Sequence, residues 1–97
     1  MATRTQSLPR PELLDEPTTD QPGEHLVIVW DNDHNTWEEV IDILQKATNC
    51  SLEEAITETW EVHHLGKSVV HHAAHPECQR VARIIRTIGI KVTVEPV

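Results

Sequence analysis

The residues best equipped for chemistry fall into three groups. Asp31-Asn32-Asp33-His34-Asn35 gathers carboxylates, amides and an imidazole in one short run; His63 and His64 stand side by side; and His71, His72 and His75 follow close behind. Carboxylates next to imidazoles can bind a cation, relay a proton or ligate a metal ion. The spacing for metal is poor. HExxH is absent, and neighbouring histidines on a strand point to opposite faces, so His71 and His72 do not converge in regular structure. If an ion were held, Asp31, Asp33 and His63 would be the set to hold it. Catalysis has less support still: no nucleophile is coupled to a base by a recognisable motif, and one Asp/His pair specifies no reaction. The chain reads as a non-enzyme without a cofactor.

These residues sit in a chain of 97, which has room for one modest core, since a fold of this size buries only about 60 to 65% of its unfolded surface. Sixteen acidic against eight basic residues give a formal charge of -8, which disfavours nucleic acid and anionic membranes and favours cationic partners or solubility. Cys50 and Cys78 form no CxxC pair and read as reduced thiols of a cytoplasmic protein. No apolar run approaches the roughly 20 residues that span a bilayer, and no signal-like segment opens the chain. Phe and Tyr are absent, so aromatic surface comes only from Trp30, Trp37 and Trp60.

Stepping along the chain, residues 1–24 hold four prolines and few apolar anchors, and read as a disordered arm before a core domain at 25–97. Leu26 to Trp30 is a continuous apolar run of strand length. The 31–35 segment is rich in Asp and Asn, which bond their own backbone, and reads as a loop. Thr36-Trp37-Glu38-Glu39 is a capping box, and Trp37, Val40, Ile41, Leu44 and Ala47 follow at one-face helical spacing to about Asn49. Ser51-Leu52-Glu53-Glu54 is a second capping box. It opens a helix whose apolar face is expected to use Leu52, Ala55, Ile56 and Val62, with Trp60 packed in the core and Gly66 as the stop. Lys67 to Ala73 is a short strand. His75-Pro76 restarts a helix with proline in first position and Cys78, Val81, Ala82, Ile85 and Ile88 on its inner face, ended by Gly89. Ile90, Val92 and Val94 then alternate with polar residues as a last strand.

The order is β-α-α-β-α-β, an α+β two-layer sandwich with three helices packed on a three-stranded sheet. Because each short connection reverses direction, strands 2 and 3 run opposite to strand 1, and the simplest sheet places strand 1 in the middle. The 31–35 loop, the start of the first helix, the end of the second helix with His63, and the lead into strand 3 near Ile90 then share one end of the fold. Their side chains would form a small apolar pocket with a negative polar lip, suited to a cation.

Two stretches carry a family resemblance. Val29 to Val40, VWDNDHNTWEEV, is similar to the ClpS signature in which a strand ends in Asn-Asp-Asp before a helix, and Glu61 to Lys67, EVHHLGK, resembles that family's Val-His-x-x-Gly-Lys stretch. The resemblance covers about residues 26 to 95. It implies a protease adaptor that binds the free first residue of N-degron proteins, beginning with Leu, Phe, Tyr or Trp, and delivers them to a Clp-type AAA+ unfoldase. By the same resemblance Asp31, Asn32, Asp33 and His63 would hold the α-ammonium and first peptide group, and Asn35, Trp37, Val40, Thr59, Val62 and Ile90 would line the hydrophobic pocket. The arm would engage the unfoldase. Some positions depart from the family pattern: the first two loop residues exchange amide and carboxylate, and Trp37 and Thr59 stand where Met is common. An indole at the first turn of the helix is expected to overhang the pocket as a rigid gate. The alternative is a metal-binding or purely structural interaction domain.

Overall fold

A computed structural model describes residues 24–97, so the expected arm lies outside the described residues except for Glu24, which opens the first strand. The elements are β1 (Glu24–Trp30), α1 (Trp37–Thr48), α2 (Leu52–Leu65), β2 (Lys67–Ala74), α3 (His75–Ile85), a single 3-10 turn (Arg86–Ile88) and β3 (Val92–Pro96). The sheet order is β2-β1-β3, and β1 is antiparallel to both neighbours, as the reversal argument requires.

Local chemistry sets most boundaries. At α1 the Thr36 hydroxyl accepts from the Glu39 N–H while Glu39 accepts from the Thr36 N–H, and Ser51 and Glu54 repeat the arrangement at α2. Asn49 closes α1 at φ 63°, and Gly66 closes α2 at φ 91°, a conformation that costs glycine little. Helix α3 begins one residue earlier than its proline suggested, with His75 first and Pro76 second. Strand β3 begins at Val92, so Ile90 lies in its lead-in and not in the strand.

The core lies between the helices and one face of the sheet. Val27 and Val29 of β1 meet Val40, Ile43, Leu44 and Ala47 of α1, Ala55 and Val62 of α2, and Cys78, Val81, Ala82 and Ile85 of α3. Each fully buried Val, Leu or Ile here is worth about 1.5–3 kcal/mol. Ile43 joins this cluster although its helical position was not among those expected to face inward. A bulge lies opposite Val27 and Ile28, which pair with His71 and Val69, so Val70 is the extra residue. Val70 is buried and His71 partly buried, while Val69 stays half exposed.

Helix α2 departs most from expectation. Leu52, Ile56 and Trp60 are exposed, and only Ala55, Thr59 and Val62 are buried. Trp60 is thus not a core residue. The inner face of α2 is built from small and β-branched side chains, which let the helix lie close to its neighbours. Its larger apolar side chains flank that face on the α1 side.

Candidate functional site

The end of β1 is held from both sides. The Trp30 N–H donates to the Lys91 carbonyl at 3.0 Å, and the next N–H, of Asp31, donates to the Gly66 carbonyl at 3.0 Å. The 31–35 loop thus starts midway between the end of α2 and the lead into β3. That convergence brings together the distant segments expected to share one end of the fold.

Inside the loop the amides serve the backbone. Asn32 Oδ1 accepts from the N–H groups of His34 and Asn35, each at 3.2 Å, while its Nδ2 donates to Asn35 Oδ1 at 2.7 Å. Asn35 Nδ2 in turn donates to the Ile88 carbonyl at 2.8 Å and to Glu39 Oε1 at 3.2 Å. Asn32 therefore shapes the loop, and Asn35 ties it to the segment just before Ile90. Glu39, bonded to the Thr36 backbone and then to Asn35, is held below the usual carboxylate range. The carboxylates of Asp31 and Asp33 are exposed and have no hydrogen-bond or ionic partner among the described residues.

His63 lies on the last turn of α2, and its Nδ1 is 3.0 Å from the Thr59 carbonyl oxygen. A carbonyl only accepts, so Nδ1 carries the proton and Nε2 of the neutral ring is left as an acceptor. The Trp37 indole stacks on this imidazole with centroids 5.2 Å apart and planes at 29°. Trp37 is at the surface, and its ring lies against His63. Of the other residues expected to wall the pocket, Val40, Thr59, Val62 and Ile90 are all buried. Thr59 spends its hydroxyl on the Ala55 carbonyl at 2.7 Å, which leaves the rest of its side chain as apolar surface.

The histidines farther along serve separate contacts. His71 pairs with Glu77 at 3.2 Å and His72 with Glu24 at 3.4 Å, while His25 and His75 have ring centroids 4.6 Å apart. Glu77 also receives Arg80 at 2.6 Å, and Arg80 first, His71 second, hold its carboxyl down at about 2. Among the described residues no three His, Cys, Asp or Glu side chains are grouped so as to hold an ion.

The opposite flank of α2 carries acidic side chains. A cavity of about 370 Å³ is lined by Glu53, Glu54, Thr57, Glu58, Glu61 and Val69. Glu58 Oε1 is buried there without a hydrogen-bond partner among the described residues, and burial first, then Glu54 and Glu61, push its carboxyl up to about 7. Glu61 is engaged by the Ser68 hydroxyl at 2.6 Å. The spacing Glu54, Glu58, Glu61 was visible as one helical flank, but its position against β2 was not.

Compared with known proteins, residues 20–93 match the family model described as ATP-dependent Clp protease adaptor protein ClpS. The chain belongs to the ClpS family. Among solved structures, it is similar to Agrobacterium tumefaciens ClpS2, described as bound to L-phenylalaninamide, with a TM-score of 0.74 and 19% identity over 79% of this chain and 100% of that one. At that identity the likeness establishes the shared ClpS fold, with its β-α-α-β-α-β order and central first strand. No curated protein matches the chain by sequence. No helix among the described residues is long and apolar enough to cross a membrane.

Proposed function

We propose that this chain is a protease adaptor that binds the free N-terminal residue of target proteins, those starting with a bulky hydrophobic side chain, and delivers them to a Clp-type AAA+ unfoldase. The observation that carries this reading is the set of groups at the loop and the end of α2. Asp31 and Asp33 offer carboxylates unpaired among the described residues, and the Thr59 carbonyl fixes the His63 proton on Nδ1 so that Nε2 accepts.

An α-ammonium leaving water needs charge-assisted hydrogen bonds in exchange, and two carboxylates with one imidazole acceptor supply them. Asn32, tied into the loop, keeps those carboxylates in place instead of meeting the ligand with its side chain. The first side chain enters between Trp37, Val40, Thr59, Val62 and Ile90. Since the four residues other than Trp37 are packed, Trp37 is the wall that moves, and its departure from His63 opens the pocket. The family match and the amino-acid amide bound by ClpS2 support the same reading. Delivery would fall to the residues before Glu24, acting as a tether to the unfoldase.

The test is a titration with a fluorescent peptide that begins with free Leu or Phe, beside the same peptide acetylated. Binding of the free form alone is expected; equal affinity for both rejects the mechanism. Removal of residues 1–23 should leave peptide affinity intact and slow degradation of a Leu-initiated reporter by the partner protease.

A further inference from the structure

The contact between Trp37 and His63 does not end at the site. Trp37 also meets His64 edge-on, with centroids 6.2 Å apart and planes at 79°, and His64 stacks on Trp60 at 4.5 Å and 15°. His64 is oriented as His63 is, its Nδ1 lying 3.0 Å from the carbonyl one turn back, at Trp60. One unbroken run of rings therefore leads from the lip of the site onto the outer surface of α2. Below Trp60 the same flank continues through Ile56 and Leu52, spaced four residues apart along one side of the helix. This surface is large for a chain with three tryptophans and no Phe or Tyr: Trp37 is 36% exposed, Trp60 46%, Ile56 42% and Leu52 51%.

We infer that this stripe is a second subsite, which receives a large apolar or aromatic side chain at the third to fifth position of the target whose first residue the site holds. The inference rests on the proposed recognition of the free N-terminus. Continuity argues for the target chain as occupant, because His64, which stacks on Trp60, directly follows His63 of the lip on α2 and keeps that contact when Trp37 moves. Length fits as well. From His64 to Leu52 the helix rises about 18 Å, which an extended chain covers in roughly five or six residues. Area argues against a second copy. With an indole worth roughly 150–250 Å² in all, the four exposed side chains present on the order of 400 Å², about half of the roughly 800 Å² that each partner of a stable dimer contributes. A single inserted side chain needs no more.

The experiment uses the full chain and peptides with a free N-terminal Leu. One carries Gly and Ser at positions three to five, one carries Phe at position four, and one is the Gly/Ser peptide acetylated. The Phe peptide should bind roughly fivefold to tenfold more tightly than the Gly/Ser peptide. Trp60→Ser and Ile56→Ser should each reduce that advantage toward onefold and leave the Gly/Ser peptide's affinity unchanged. Both side chains are half exposed, and thermal melts of the two variants check that the fold is kept. If the Gly/Ser peptide discriminates free from acetylated ends but Phe brings no gain, or the gain survives both substitutions, the second subsite is refuted and N-terminal recognition stands. If free and acetylated ends bind alike, both fall. Sedimentation that shows a dimer abolished by Trp60→Ser would assign the stripe to a second copy and overturn the inference.

Discussion

Replacing Glu58 with Gln should stabilise the protein in a strongly pH-dependent way. Its carboxyl has one oxygen buried without a partner in the cavity between α2 and β2, with Glu54 and Glu61 nearby, and titrates at about 7 instead of the usual 4.5. A carboxyl whose folded pKa is raised binds its proton more tightly folded than unfolded. Its contribution is therefore most favourable below about 4.5 and is lost as pH rises through about 7. The interval between those values corresponds to about 3 kcal/mol at full effect, and because the group is only partly shielded from solvent, roughly half of that is the expected penalty at pH 8. Gln keeps the shape and carries no charge, so Glu58→Gln should gain about 1.5 kcal/mol at pH 8 and almost nothing at pH 5. For a folded part of this size that is a rise in Tm of roughly 6–12 °C at pH 8. Thermal unfolding of both proteins at half-unit steps from pH 4.5 to 8.5 measures it. A difference that stays constant across the range, or that grows toward acid, refutes the reasoning and means that water or a cation pairs with Glu58 in solution.

His63→Ala should cost on the order of 1–3 kcal/mol of affinity for a free-amine peptide, with the melting temperature nearly unchanged, since it removes the Nε2 acceptor at the end of α2; unchanged affinity would exclude His63 as an anchor. Trp37→Met replaces a rigid ring stacked on His63 with a flexible chain, and should raise affinity for Trp-initiated or Tyr-initiated peptides relative to Leu by about tenfold, or about 1.4 kcal/mol. Titration of peptides that differ only in their first residue decides this, and an unchanged ratio assigns selectivity to Thr59, Val62 and Ile90. Glu77→Gln should lower stability near neutral pH, and the difference from the parent should vanish as pH falls toward about 2, where the Glu77 carboxyl held by Arg80 and His71 takes up its proton; melts at pH 7 and pH 2.5 compare the two.

Bonds between near neighbours along the chain govern the features that are legible without a fold. Thr36 with Glu39 and Ser51 with Glu54 fix the starts of two helices through bonds three residues long, and Gly66 and Gly89 end their elements at positive φ. Those short connections also dictated strand direction, and so the meeting of the start of the 31–35 loop with Gly66 at the end of α2. Tertiary structure decided which side of an element is inside. Leu52, Ile56 and Trp60 fit a helical face as well as Ala55, Thr59 and Val62 do, and periodicity does not rank them. In the fold Ala55, Thr59 and Val62 are buried and Leu52, Ile56 and Trp60 are exposed. The same holds at the site. Asn32 and Asn35 are as able to grip a ligand as to grip a loop, and only the position of the Ile88 carbonyl commits Asn35 to the loop. Glu58 looks like any solvated glutamate until β2 lies beside it. Its raised pKa arises from burial and from two carboxylates on its own helix, and the burial exists only once the chain has folded.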